Sequence, residues 1–214
     1  MDWVNAIRQE AQTSSILRTD ELALKYGIIP AAVTQALARQ ERRELVEHVS
    51  NKIYYNWLAL DGSPRDLVNV LREDAYVSLE SGLREYGIST QSPRTLTCVT
   101  TGLPKKFRAR TITIRYRSIS PRLYWGFLRK TTRYGSYLIA EPEKAILDWI
   151  YLGLQNGVAP ALDELDFSVV DQPKLLNYAR RFPRSTYRHV LPALAESAEI
   201  AESVGAGAGA GTGD

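Results

Sequence analysis

The chain has 214 residues, of which 44% are hydrophobic, and a formal net charge of +3. That length allows one large domain or two modest ones, and the hydrophobic share excludes an intrinsically disordered protein. One cysteine, Cys98, excludes an internal disulfide, and the distant His48 and His189 do not have metal-ligand spacing. We find no signal peptide and no apolar run long enough to cross a bilayer, so the sequence predicts a cytoplasmic protein without a membrane, metal or cofactor.

The positive charge is concentrated in one stretch. Residues 1–60 hold 7 basic and 7 acidic side chains, whereas residues 105–134 hold 10 basic side chains and no acidic one. A window with this excess of cations indicates binding to a polyanion.

The first sixty residues predict two helices in a helix-turn-helix frame, after a first helix within residues 2–12. Thr19 can cap a helix from Asp20 to Tyr26, Gly27 can end it, and Pro30 suits the first position of the next helix. Ala23 is small enough to let the two helices approach closely. The alternative is an ordinary helical hairpin.

A change to period two follows the helices. Residues 45–49 and 53–57 read as strands on either side of a polar turn, Ser50–Lys52. Helices followed by such a hairpin make a winged helix-turn-helix, in which the second helix of the pair enters the major groove and the wing lies along the backbone. The predicted fold class is therefore α+β, with a winged helix-turn-helix at residues 1–60.

The outward face of the reading helix follows from its inward face. If Val33 and Leu37 point to the core, Gln35 can read an adenine edge and Arg39 a guanine edge. Basic residues after that helix and at the wing tip are placed for phosphates. The predicted DNA contacts are Thr34, Gln35, Ala38, Arg39, Arg42, Arg43 and Lys52.

A turn-rich boundary, Asp61–Pro64, separates this module from a predicted mixed α/β domain at residues 61–204. In that domain Ser78 can cap a short helix that Gly87 ends, and residues 96–101 read as a strand. Residues 205–214 alternate glycine with small residues, which predicts a flexible tail.

The cationic stretch contains a strand whose sides differ. In residues 110–117, Ile112, Ile114 and Tyr116 alternate with arginines and threonines, which predicts a half-buried strand with a cationic outer face. The partner is a nucleic acid or another acidic molecule, or the cations are only a solvated face. The predicted basic patch is Lys105, Lys106, Arg108, Arg110, Arg115, Arg117, Arg122, Arg129 and Lys130.

A strand at residues 137–140 precedes a helix that begins at Pro142 and is apolar enough to be buried. Glu143 and Lys144 are adjacent at a helix start, which is the wrong geometry for a metal-dependent nuclease, so Glu143 is interpreted as a favourable charge near the helix N-terminus. The sequence offers no nucleophile–base pair and no phosphate-binding glycine loop, so we do not expect an enzyme.

Several short segments resemble one family. Residues 76–88, Val99–Gly102 and Ala140–Asp148, with the aromatic pair before glycine at 124–127, resemble the AbiEi family of antitoxins from type IV bacterial toxin–antitoxin systems. The resemblance covers residues 16 to 152 as a pattern of short pieces.

The resemblance implies a transcriptional repressor that binds inverted repeats of double-stranded DNA in its own promoter. It also implies an antitoxin, of the abortive-infection type, whose C-terminal region counteracts a nucleotidyltransferase-like toxin without a stable complex. Two alternatives are a plain regulator whose second half senses a ligand or dimerises, and an enzyme acting on nucleic acid.

Overall fold

A computed structural model describes residues 1–91, 93–192 and 195. Within it the chain forms two compact units. The first unit comprises residues 1–77, 93–119 and 127–139; the second comprises residues 78–91, 120–126 and the described residues from Ala140 onwards. The protein is α+β, as the composition and periodicity indicated.

The N-terminal part of the first unit places three helices around a small sheet. Asp2 caps α1 by accepting hydrogen bonds from the amides of Val4 and Asn5 at 3.0 and 3.3 Å. The three strands pair in the order β1–β3–β2. The elements are α1 (Trp3–Glu10), β1 (Ile16–Arg18), α2 (Thr19–Tyr26), α3 (Pro30–Glu41), β2 (Val46–Ser50) and β3 (Ile53–Asn56).

One apolar core joins these helices to the sheet. Ile7 of α1, Leu22 of α2, and Val33 and Leu37 of α3 are all buried and pack with Tyr54 of β3. Burial of apolar area at this scale is the main stabilising term for such a small module. The helical spacing of residues 33 and 37 therefore does point them inward, as predicted.

The rest of the first unit is a six-stranded mixed sheet in the order β6–β7–β5–β4–β9–β8. A 3-10 turn, Pro64–Leu67, and the short α4 (Val68–Leu71) precede it, and Ser63 and Asp66 form the capping box of that turn. β5 runs parallel to β7 and antiparallel to β4. The strands are β4 (Tyr76–Val77), β5 (Leu96–Thr100), β6 (Lys105–Arg108), β7 (Thr113–Ser118), β8 (Phe127–Thr132) and β9 (Gly135–Ala140).

The second unit is helical. It contains α5 (Leu79–Glu85), α6 (Pro142–Gln155) and α7 (Gln172–Ala179), with short 3-10 turns at Pro121–Leu123 and Phe167–Val169. Residues 184–192 are also helical. Helix α6 begins at Pro142 and is buried along most of its length, as its apolar sequence predicted.

Some sequence-based assignments were wrong in detail. Thr19 is the first residue of α2 and not its cap, and its neighbour Arg18 makes no capping hydrogen bond. Ser78 stands at the N-cap position of α5, but its side chain makes no capping bond and is directed elsewhere. The predicted strand at residues 110–117 begins only at Thr113.

Other assignments hold. Cys98 is fully buried in β5, where burial raises the pKa of its thiol, so it is the inert side chain that its position indicated. The hairpin turn at residues 50–52 is present. In the described part of the chain, no helix combines the length and apolar character needed to cross a bilayer.

The predicted boundary after residue 60 stays a prediction, since compact packing does not tell which segment folds alone. The compact unit that contains residues 1–60 also contains the six-stranded sheet. The predicted Gly/Ala tail at residues 205–214 lies outside the described residues.

Candidate nucleic-acid interface

The turn between α2 and α3 is tight and left-handed. Gly27 has φ of 64°, a conformation that glycine adopts without the Cβ penalty of other residues. The amide of Ile28 donates to the carbonyl of Ala23 at 3.0 Å, which closes the end of α2. Pro30 then starts α3 at its first helical position.

The outer face of α3 carries the predicted reading residues. Thr34, Gln35 and Arg39 are exposed, and Ala38 is half-buried. Gln35 and Arg39 are one helical turn apart and therefore point to the same side. The hydroxyl of Thr34 donates to the carbonyl of Pro30, one turn earlier in α3, at 3.0 Å.

Three further predicted contacts lie at the ends of this region. Arg42 is the C-cap residue of α3, and Arg43 follows it; both are exposed. Lys52 lies at the hairpin tip with φ of 62°, the conformation that a glycine commonly supplies at such tips. Its ammonium group pairs with the Asp20 carboxylate at 3.0 Å, so a phosphate at this tip would compete with that carboxylate for Lys52.

Strands β6 and β7 present cations on one face. Arg115 lies directly opposite Lys106 in the antiparallel pair, and Arg108 lies opposite Thr113. Lys106, Arg108 and Arg115 are exposed, and within the described residues none of the three forms an ion pair. Like charges directly across two strands destabilise the pair, so the arrangement costs stability unless an anion is present.

The other members of this patch differ in their surroundings. Lys105 is exposed, and its ammonium group lies 4.4 Å from the centroid of the Phe107 ring. Arg117 is half-buried on the same face as Arg115. Arg110, in the turn between the two strands, forms an ion pair with Glu44.

Part of the predicted patch lies on the other edge of the six-stranded sheet. Arg129 and Lys130 are on β8, the edge strand opposite β6 in the six-stranded sheet. Five strand spacings separate β8 from β6, which is about 24 Å. Arg129 donates to the hydroxyl of Ser136 at 2.8 Å. Arg122 belongs to the second unit. Within the sheet, the strand order therefore separates Arg129 and Lys130 from the cations of β6 and β7, although these elements are close in sequence. The basic patch as a binding surface stays a prediction.

A carboxylate that the sequence did not single out joins β2 to the β6–β7 turn. Glu47 is fully buried and accepts hydrogen bonds from the amides of Thr111 and Ile112 at 2.6 and 3.1 Å. It also accepts from the Thr111 hydroxyl and from the Trp57 indole, the latter at 3.1 Å. Although burial alone would raise the pKa of this carboxyl, these hydrogen bonds outweigh it and lower the pKa.

The second unit contains a buried ion pair. Lys144 and Asp148, one turn apart on α6, have no exposed side-chain area and contact each other directly. The Ser78 hydroxyl donates to the Asp148 carboxylate at 2.9 Å, which is the role it takes in place of capping α5. Burial lowers the pKa of Lys144, although Asp148 opposes the shift.

Glu143 is more than a favourable charge at a helix start. It is buried and accepts from the Asp171 amide at 3.3 Å. Lys174 of α7 bridges the carboxylates of Glu143 and Glu141 at 3.0 Å each. Burial alone would lower the pKa of Lys174, but these two carboxylates raise it. This network ties α7 to the start of α6.

The second unit also carries exposed arginines that the sequence reasoning did not include. Arg181 stacks its guanidinium 3.5 Å from the centroid of the Trp125 ring. Within the described part of this unit none of these arginines forms an ion pair; they are Arg180, Arg181, Arg184 and Arg188. The signal was present as four arginines within nine residues, but acidic residues elsewhere in the C-terminal half masked it in the regional sum.

His48 packs against the Tyr54 ring at 4.9 Å between centroids. Among the described residues no three His, Cys, Asp or Glu side chains are grouped as a metal would require.

A scan against models of known protein families and a search of curated proteins found no match for this chain.

Proposed function

We propose that the chain is a sequence-specific DNA-binding repressor whose N-terminal module is a winged helix-turn-helix. The observation that carries this proposal is the order α1–β1–α2–α3–β2–β3, with β1 paired to β3 beside the hairpin. In such a module the second helix of the pair lies in the major groove and the hairpin follows the backbone.

The exposed side chains of α3 have the chemistry for reading bases. Gln35 can form two hydrogen bonds with an adenine edge, and Arg39 two with a guanine edge. Each such bidentate contact discriminates against a wrong base by about 1–3 kcal/mol. Both side chains are exposed on one face of a helix whose other face is fully packed, so the helix presents them rigidly.

Phosphate contacts come from two places in the first unit. Arg42, Arg43 and Lys52 lie beside the reading helix and at the hairpin tip. Because residues 1–60 are neutral in sum, the module needs a further cationic surface to hold DNA at physiological salt. Lys106 and Arg108 of β6 and Arg115 of β7 are our proposed source of that charge.

The repressor proposal extends to an antitoxin on the resemblance to the AbiEi family. On this proposal the operator contains inverted repeats in the protein's own promoter, and the protein acts in the bacterial cytoplasm. Residues beyond 60 counteract a nucleotidyltransferase-like toxin without a stable complex. The chain itself performs no catalysis in this scheme.

The test uses the full chain and DNA from upstream of its own gene. We expect a discrete footprint and repression of a reporter, both lost in a Gln35→Ala, Arg39→Ala variant. The matched control is Arg8→Ala, Gln9→Ala, which removes the same residue types from the exposed face of α1. An unchanged footprint in the α3 variant would refute reading by this helix.

The antitoxin part has a separate test. Co-expression with a nucleotidyltransferase-like toxin encoded beside the gene should restore growth with the full chain, and residues 1–60 alone should not restore it. Repression without any rescue would leave the plain regulator, in which the second half senses a ligand or dimerises.

A further inference from the structure

A buried carboxylate connects the hairpin β2–β3 to a turn far along the chain. Glu47 on β2 receives hydrogen bonds from two consecutive backbone amides, Thr111 and Ile112, of the turn between β6 and β7. The Thr111 hydroxyl and the Trp57 indole complete its set of donors. Most of these donors therefore come from outside residues 1–60.

This contact is directional in a way that an apolar contact is not. Removing a carboxylate from water is unfavourable unless its oxygens are satisfied, so each donor must be held in place. Two consecutive amides that converge on one anion form a cradle with a fixed orientation. The link therefore joins the β6–β7 turn to β2 and also sets the position of the turn on that strand.

The same turn begins the cationic strand pair. Arg108 ends β6 just before the turn, and Arg115 lies on β7 just after it, opposite Lys106. Arg110 within the turn also pairs with Glu44, which precedes β2, but both side chains are exposed, so this ion pair contributes little to holding the turn. Glu47 thus holds an element whose outer face carries Lys106, Arg108 and Arg115.

We propose that Glu47 is a positioning residue that fixes the cationic face of β6 and β7 beside the hairpin β2–β3. One DNA duplex then contacts the hairpin and that face together. The inference rests on the proposed DNA-binding function, and it makes the phosphate contacts of Lys106, Arg108 and Arg115 dependent on a side chain that touches no DNA.

The decisive variant is Glu47→Gln, compared with Glu44→Gln. Both remove one negative charge, which by itself raises DNA affinity through electrostatics. Glu44 is exposed, and its loss frees Arg110, so Glu44→Gln should bind the operator at least as tightly as the wild type. Glu47→Gln exchanges one acceptor oxygen for a donor group inside the cradle, so it should bind about tenfold or more weakly despite the same charge change.

The salt dependence and a double-mutant cycle separate positioning from general destabilisation. Each lost phosphate contact lowers the slope of log affinity against log salt concentration by about 0.9. Because Glu47→Gln should displace Lys106, Arg108 and Arg115, it should lose about two to three such contacts. In a Lys106→Ala, Arg108→Ala, Arg115→Ala background, Glu47→Gln should have no further effect on affinity or slope, because it acts only through those cations.

All affinities are measured on full chains at a temperature where circular dichroism shows the variants to be folded. Should Glu47→Gln not fold, Thr111→Val removes one of the hydrogen bonds more gently and should show the same coupling to the three cations. Suppose the wild type binds its operator, but folded Glu47→Gln or Thr111→Val keeps the full salt slope, or its effect adds to that of the three alanine substitutions. The positioning role of Glu47 is then refuted, while the proposed DNA-binding function stands. If the wild type binds no DNA specifically, the proposed function fails with it.

Discussion

Removing the ammonium group of Lys144 should destabilise the protein strongly. Lys144 and Asp148 are both fully buried on α6, and Asp148 also accepts from Ser78 at 2.9 Å. Lys144→Met keeps the length of the side chain but removes the cation beside a carboxylate that is fully buried. Breaking one partner of a buried pair costs about 3–5 kcal/mol. For a chain of this size we expect a fall in melting temperature of roughly 6–20 °C.

The assay is thermal and urea unfolding followed by circular dichroism and tryptophan fluorescence. Trp125 is a useful reporter because its ring lies 5.4 Å from the Lys144 ammonium. The double variant Lys144→Met, Asp148→Asn removes the uncompensated charge and should recover most of the loss. The matched control is Lys106→Met, since Lys106 is exposed. A change below about 1 kcal/mol in Lys144→Met would refute the argument that the carboxylate is desolvated there.

Three further predictions concern the first unit. The hydrogen bonds to Glu47 lower its pKa from 4.5, so they should stabilise the protein fully above that pH and less as the pH falls through the lowered pKa. The melting temperatures of the wild type and of Glu47→Gln should therefore differ at pH 7 and converge in acid. Gly27→Ala should lower the free energy of unfolding by about 1–2 kcal/mol, because φ is positive there, and an unchanged urea midpoint would contradict that turn. Lys106→Ala with Arg115→Ala should lower the salt slope of DNA binding by about two and slightly raise the melting temperature, whereas an unchanged slope would assign these cations to another partner.

Periodicity predicted the elements that bury one side against a nearby partner. Helices α2 and α3, the hairpin after them and the buried helix that begins at Pro142 all follow local patterns. Local sequence also located the exposed face of α3, because the core side of a helix fixes its opposite side. Thr34, Gln35 and Arg39 therefore lie on the exposed face, as expected, and their contact with DNA stays a prediction.

Local sequence patterns do not show contacts between segments that are distant in the chain. Glu47 alternates with apolar neighbours, so in the sequence it looks like an exposed strand residue. Its burial depends on donors that lie 64 and 65 positions later in the chain, which no local pattern shows. Strand β1 has only three residues, too few to show an alternation. Strand β6 contains Lys105 and Lys106 and looked like a run of charge. A buried Lys144–Asp148 pair has the same spacing as an exposed one, so sequence alone does not separate them.

The strand order separates residues of the predicted basic patch that are close in sequence. Arg115 and Arg129 are only fourteen positions apart, but β7 and β8 are separated by three other strands of the sheet. Net charge in a window predicts attraction to anions and does not predict which cations share a surface.

Selection of duplexes from a random DNA library by the full chain tests the proposed function most directly. We expect one motif to be enriched, arranged as an inverted repeat, with the highest preference at the base pairs that Gln35 and Arg39 contact. The Gln35→Ala, Arg39→Ala variant should lose preference at those positions while keeping its salt-dependent, non-specific binding. Enrichment of no motif by the wild type, or of the same motif by the variant, would contradict reading of DNA by α3.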